Sequence, residues 1–228
     1  VNTTETDVVE ITRSAYERGA RIYAGDVPEE DDPPWREACR SLFLKRLKGK
    51  CVLEIGCGPG LDAAAFHAAG MRVLATDICE EFLAIVRERF PDVQTHWMNL
   101  LEPDLEPASF DGIYGFASFL HVPHARVAEA LMALHRLLRP GGVLFLGLIQ
   151  SPLRKSYVVP QWIGLEENPA HFFCHAEQEM TVMASAVGFS RAETTNLEPS
   201  EDGPYGRGEA HLRGVENQLH SFQFIATK

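Results

Sequence analysis

Between positions 49 and 149 the chain alternates short apolar runs with helical patterns, and this alternation constrains its fold most tightly. The runs are 51–55 (CVLEI), 71–76 (MRVLAT), 93–98 (VQTHWM), 110–116 (FDGIYGF) and 143–149 (VLFLGLI). Apolar runs of strand length bounded by turn residues read as the buried strands of a parallel sheet. The segments between them read as helices. Residues 61–69 are Ala-rich and stop at Gly70, and residues 79–90 carry Phe82, Val86 and Phe90 on one face before Pro91. Val127, Leu131, Leu134 and Leu138 repeat at helical spacing, and Pro140-Gly141-Gly142 is expected to end that helix. Strand–helix alternation of this kind predicts a doubly wound α/β sheet, with its ligand outside the carboxyl ends of the strands.

The flanks read differently. Residues 1–48 look helical, with a polar break at 26–34, and are expected to supply a lid and substrate elements to a domain at 49–228. Residues 151–169 lack clear periodicity, 176–187 suit a helix ended by Gly188, and 191–197 and 220–226 suit a closing strand pair. Insertions are expected at about 151–175 and at the Gly-rich stretch 198–217. A chain of 228 residues, 45% apolar and 23% charged, is long enough to bury one full core without staples.

A net charge of −11 counts against a binder of bulk nucleic acid, whose phosphates need clustered Lys and Arg. The five cysteines form no C-x-x-C pair and read as reduced thiols. The N-terminus has no apolar leader core, and no apolar stretch is long enough to span a bilayer. The expectation is a cytoplasmic protein, monomer or homodimer, with no nucleic-acid or membrane partner. No metal is expected. His171 and His175 have H-x-x-x-H spacing without an acidic partner nearby, so 171–175 reads as the polar start of the helix at 176–187.

The turn after the first run reads Glu54-Ile55-Gly56-Cys57-Gly58-Pro59-Gly60-Leu61. Its glycines allow a tight turn and close approach of backbone to a ligand, at the start of a helix with unpaired N–H groups. It is not a dinucleotide fingerprint, because the third glycine comes one residue early. It is not a P-loop, because Gly-Lys-Ser/Thr is absent. Asp77 ends the second run 19 residues after Gly58, where an acid would meet ribose hydroxyls. A helix N-cap is the structural alternative.

These residues resemble the class I S-adenosylmethionine-dependent methyltransferases, closely over about 50–150. Residues 54–60 look like the family's first motif, Asp77 like its ribose acid, 109–113 like the start of its fourth strand, and 138–143 like the loop entering its fifth. The resemblance implies a Rossmann-like, mostly parallel seven-stranded sheet with an antiparallel last strand, and S-adenosylmethionine as cofactor. It implies that Gly56, Cys57 and Gly58 pass the methionine part, that Glu54 helps hold its ammonium, and that Ile78 flanks the adenine. Asn99 stands where the family often has an acid toward the adenine amino group, an acceptance its carbonyl could take over; a turn Asn satisfying backbone is the alternative. Leu100 and Phe116 complete the implied cofactor site. Tyr16 and Tyr23, seven apart on one helical face, resemble the Tyr-bearing segment that members fold over the cofactor.

His121 follows the fourth strand and is the candidate general base, since a neutral imidazole accepts a proton near neutral pH. His124, Tyr157, Trp162 and His175 are candidate acceptor-binding residues. The function these features predict is methyl transfer to an O, N or C nucleophile of a small molecule. The alternatives are the same fold running a cyclisation or decarboxylation with the cofactor as spectator, and a non-catalytic cofactor-binding subunit.

Overall fold

The structure, a computed structural model, describes residues 5–26, 34–151, 155–197 and 220–228; the Gly-rich stretch 198–217 and residues 27–33 of the polar break lie outside these. Two helices, α1 (Glu5–Asp26) and α2 (Pro34–Arg46), precede the alternating core. That core runs β1 (Cys51–Ile55), α3 (Leu61–Ala68), β2 (Arg72–Asp77), α4 (Glu80–Arg89), β3 (Gln94–Trp97), β4 (Phe110–Phe116), α5 (Val127–Leu137) and β5 (Leu138–Gln150). A hairpin of β6 (Ser156–Val159) and β7 (Ala170–Phe173) follows, then α6 (Glu177–Ala186), β8 (Arg191–Leu197) and β9 (His220–Thr227).

Seven strands form one sheet in the order β3-β2-β1-β4-β5-β9-β8. Strands β1 to β5 pair in parallel, and β9 runs antiparallel to β5 and β8. The expected sheet is therefore the observed one. Its strand order reverses direction between β1 and β4, the switch point at which a crevice opens.

Successive residues of the central strands feed opposite faces. Ile113 packs with Leu131, Leu134 and Leu146 under α5, whereas Tyr114 packs with Phe43, Phe66 and Phe145 under α2 and α3. All eight are fully buried. Each such aliphatic or aromatic burial stabilises by roughly 1.5–3 kcal/mol, so the wall behind the crevice is rigid.

Three local expectations are corrected. The helix before β5 ends at Leu137, and Pro140, Gly141 and Gly142 lie inside β5, not at a helix end. The strand tolerates them because the register with β4 shifts here, a bulge that absorbs Pro and Gly. Gly141 N also donates to the Lys228 carbonyl (2.8 Å), and Lys228 N to that of Gly142 (3.0 Å). Secondly, 151–169 contains β6 and a 3-10 turn at Trp162–Gly164. Thirdly, 171–175 is not a helix start: His171 belongs to β7, which pairs antiparallel with β6.

Candidate active site

A cavity of about 440 Å³ opens at the carboxyl ends of β1, β2 and β4, roofed by residues of α1 and α2. The glycine turn after β1 shapes its floor. Gly56 has φ +63°, and a Cβ there would lie 2.3 Å from Cβ of Ser118, so only glycine lets the two loops meet. Gly58 has φ +52° and open space where its Cβ would stand. The turn is tied to the end of β2: Cys57 N donates to the Thr76 carbonyl (2.9 Å) and Gly58 N to Asp77 Oδ2 (2.9 Å). Asp77 Oδ1 accepts from Cys79 N (2.9 Å), at the N-terminus of α4. Asp77 thus ties the glycine turn to the start of α4 while lining the cavity, and each carboxylate oxygen retains a further lone pair. Burial pushes its pKa up to about 6, against the pull of its backbone donors.

Glu54, at the end of β1, is 3% exposed, and its Oε2 has no hydrogen-bond partner although the residue lines the cavity. Burial, with Asp62 and Asp77 nearby, raises its pKa well above the ordinary carboxylate range; Arg36 pulls the other way. Arg36 is itself held by Asp62 at 2.9 and 3.0 Å, and Arg40 reaches the same carboxylate at 2.8 Å. Two guanidinium groups therefore share one buried acid. Glu54 is left as the carboxylate facing the cavity with an oxygen still to satisfy, the acceptor a buried ammonium group would complete.

The other wall carries Ile78, Asn99 and Leu100. Asn99 Oδ1 accepts from Leu101 N (3.0 Å), so its carbonyl serves the turn with one lone pair while a second lone pair and the amide nitrogen remain. The Ile78 carbonyl accepts from Trp97 Nε1 (2.8 Å), which fixes that backbone at the cavity rim. Phe116, at the end of β4, packs on Trp35 of α2 with ring centroids 5.1 Å apart. All of Tyr16, Tyr23, Glu54, Gly56, Cys57, Gly58, Asp77, Ile78, Asn99, Leu100 and Phe116 line this one cavity, together with His121.

His121 is held at both ring nitrogens. Nδ1 lies 2.8 Å from the His171 carbonyl, which can only accept, so Nδ1 carries the proton. Nε2 is then an acceptor, and it takes the hydroxyl hydrogen of Tyr16 at 3.0 Å. Burial lowers the imidazole pKa to about 4, partly offset by the His171 carbonyl. Tyr16 also packs on Tyr23, Phe82 and Trp162, at centroid distances of 6.4, 5.9 and 5.2 Å.

The other candidates lie elsewhere. Tyr157 is buried and stacked on Phe172 at 5.0 Å, and Trp162 packs behind Tyr16 and Tyr23; neither lines the cavity. His124 and His175 line a separate, smaller cavity. Conversely, Trp35, Arg36, Asp62 and Ser118 line the main cavity although the sequence reading does not reach them. Asp62 alone leaves a trace in sequence, an acid in the first turn after the glycine-rich loop. Among the described residues, no three His, Cys, Asp or Glu are grouped to hold a metal, and no helix is long and apolar enough to cross a membrane.

A mostly parallel sheet with this strand order, an orphan carboxylate at the first glycine turn and an acid ending β2 define an α/β domain with a polar crevice at its switch point. A family model described as "Methyltransferase domain" matches residues 52–142. Over this domain the chain is similar to the class I S-adenosylmethionine-dependent methyltransferases. It is 33% identical over 161 residues to a probable S-adenosylmethionine-dependent methyltransferase of Mycolicibacterium smegmatis, a match covering 71% of this chain and 60% of that protein. The chain thus spans less than two thirds of this relative's length.

Among solved structures, it superposes with TM-score 0.67 and 20% identity on the 1,6-didemethyltoxoflavin-N1-methyltransferase of Burkholderia thailandensis, over 99% of this chain and 90% of that one. It superposes with TM-score 0.71 and 17% identity on the [4+2]-cyclase SpnF, over 97% and 96%. At these identities the likeness is one of fold. The cofactor of the class fits the cavity: Glu54 offers an unpaired acceptor, Gly58 leaves space where a side chain would intrude, and Asp77 presents a buried acid at the end of β2.

Proposed function

We propose that this chain transfers a methyl group from S-adenosylmethionine to an O, N or C nucleophile of a small-molecule acceptor. The observation that carries the reading is the single cavity with Glu54, Gly58 and Asp77 on one wall and the Tyr16–His121 pair on another. Glu54 would hold the ammonium, Asp77 the ribose hydroxyls, and Ile78 and Leu100 the faces of the adenine. The bound cofactor supplies an electrophilic methyl carbon on sulfur. The chain's own work is then alignment and exclusion of water by the roof of α1 and α2.

The proton route follows from the tautomer. His121 Nε2 already accepts the Tyr16 hydroxyl, so His121 reaches an acceptor through Tyr16. As the acceptor loses its proton to the phenolic oxygen, the Tyr16 proton passes to Nε2, and the His171 carbonyl stabilises the imidazolium through Nδ1. A base with pKa near 4 is neutral, hence ready, throughout the physiological range. It is weak, which suits a proton released late, when the nucleophile has already gained its methyl group and become acidic.

Incubation with methyl-labelled S-adenosylmethionine and a fractionated extract of small metabolites tests the reading. Label in a small-molecule product supports it. A product formed without label, with the cofactor consumed or merely bound, would replace it with spectator chemistry on the same fold.

A further inference from the structure

Asp62 is a buried acid for which the proposed reaction has no use. It lies in the first turn of α3, is 2% exposed and lines the cofactor cavity, as do Glu54 and Arg36. An acid placed only to complement the helix dipole serves equally well from the surface. The burial of Asp62 therefore has another cause, and its hydrogen bonds show which. Oδ1 accepts from Arg36 Nε (2.9 Å) and Arg40 Nη1 (2.8 Å), and Oδ2 accepts from Arg36 Nη2 (3.0 Å). All three side chains are largely buried.

Arg36 and Arg40 stand one turn apart on α2, so two like charges share one helix face. The field of Arg36 also reaches Glu54: it pulls the carboxyl pKa down, while burial, Asp62 and Asp77 push it up and the Ala63 backbone N–H lowers it. Yet Glu54 Oε2 has no hydrogen-bond partner, and the Arg36 guanidinium is turned to Asp62. Asp77 is held by the backbone N–H groups of Gly58 and Cys79. The three acids lining the cavity thus divide the donors. Asp62 takes the protein's cations, Asp77 takes backbone groups, and Glu54 keeps an open oxygen.

Removing Asp62 would undo that division. A buried guanidinium stripped of its counter-ion is strongly destabilising, so Arg36 would turn to the carboxylate that its field already reaches. A Glu54 paired with Arg36 has no charge left for an incoming ammonium.

We propose that Asp62 is a positioning residue, which engages Arg36 and Arg40 so that Glu54 stays unpaired until the ammonium of the cofactor arrives. This rests on the reading of Glu54 as the holder of that ammonium. Asp62 itself touches no reacting atom. It acts through the two arginines, by keeping one acid of the cavity free for a cation that the ligand brings.

The probes are S-adenosylhomocysteine and its deaminated analogue, in which hydrogen replaces the amine, titrated calorimetrically into the whole chain. The wild type should prefer the amine by at least about tenfold. Asp62→Asn, which removes the charge and keeps the volume, should bring that ratio to within about twofold. Adding Arg36→Met to Asp62→Asn should restore most of the preference, because the competing guanidinium is gone; a merely structural defect would not be repaired by a second truncation. An Asp62→Asn variant with the wild-type ratio, or a lost ratio that Arg36→Met does not restore, overturns the proposal. Glu54→Gln separates the two readings. If it too keeps the wild-type ratio, the ammonium reading of Glu54 fails and takes this proposal with it; if it loses the ratio while Asp62→Asn does not, this proposal fails alone. Should Asp62→Asn fold poorly, carboxyl ¹³C spectra of the unaltered protein, with Glu54 assigned by Glu54→Gln, carry the test. Glu54 should be protonated near neutral pH in the free protein and ionise when S-adenosylhomocysteine binds. A Glu54 already ionised in the free protein would mean that the arginines hold it, and would overturn the proposal.

Discussion

Glu54→Gln should stabilise the unliganded protein and weaken its hold on S-adenosylmethionine, two effects of opposite sign from one atom. Glu54 is buried with Oε2 unpartnered, and burial is the main cause of its raised pKa. In the folded chain the carboxyl therefore keeps its proton at pH values where the unfolded chain, titrating near ~4.3, has lost it. The native state binds more protons there, so stability falls as pH rises from that value through the folded pKa and stays low above it. The amide, nearly isosteric and neutral, escapes this loss. The gain grows by about 1.4 kcal/mol for each pH unit above ~4.3 until the folded pKa is reached, the linkage cost that the neutral amide does not carry. Affinity moves the other way. A hydrogen bond to a charged group is worth ~1.5–3 kcal/mol, which corresponds to a loss of about 10–100-fold in Kd. Urea unfolding at pH 4.5 and pH 8 reads the first effect, with the variant's advantage confined to the higher pH. Calorimetric titration in buffers of different ionisation heat reads the second, and should show a proton released on binding by the wild type and none by the variant. A variant less stable than wild type at pH 8, or one binding the cofactor with undiminished affinity, would refute the reasoning.

Gly58→Val should abolish cofactor binding while leaving the far-ultraviolet spectrum intact, since a branched side chain would enter open cavity space from a backbone at φ +52°; normal binding in a calorimeter would make the turn purely structural. Asp77→Asn should flatten a pH dependence: wild-type affinity should fall as pH drops through about 6, where the acid protonates and ceases to accept two ribose hydroxyls, and the variant should lack that step. Tyr16→Phe and His121→Ala should each lower the methyl-transfer rate by ~10²–10⁴-fold with little change in cofactor affinity, because the two act in one relay. The acid limb of kcat should sit near 4, and a double variant no slower than either single one would locate both residues on the same proton path.

The parts of this fold legible in sequence are those fixed by neighbours in the chain. The turn at Gly56 and Gly58 announces itself because positive φ and close approach require glycine locally. The central parallel strands β1, β2, β4 and β5 announce themselves because burial on both faces demands largely apolar runs, whereas β3, QTHW at the sheet edge, is at most half-buried. Where distant pairing decides, the signal fails. Pro140, Gly141 and Gly142 end a helix by every local rule, yet they extend β5 because Lys228, from the far end of the chain, closes the backbone hydrogen bonds around them. Strands β6 and β7 do alternate, with Tyr157, Val159, Ala170 and Phe172 inward, but over four residues each, too short a window to stand out from a loop.

The wall carrying His121 and Tyr16 shows the same limit more sharply. That His121 follows β4 at the cofactor end is legible from topology alone, and so is the shared face of Tyr16 and Tyr23. What His121 does depends on the His171 carbonyl, a backbone atom with no sequence signature, presented by a short strand whose residues suit a helix start. Had 171–175 been helical, that carbonyl would have been spent within the helix, Nδ1 would have had no fixed acceptor, and either tautomer could have formed. The hairpin spends it on His121 instead, which sets the proton on Nδ1 and turns Nε2 toward Tyr16. The tautomer of His121 and its bond to Tyr16, on which the proposed relay rests, are thus specified by β7 pairing with β6, and only indirectly by the histidine.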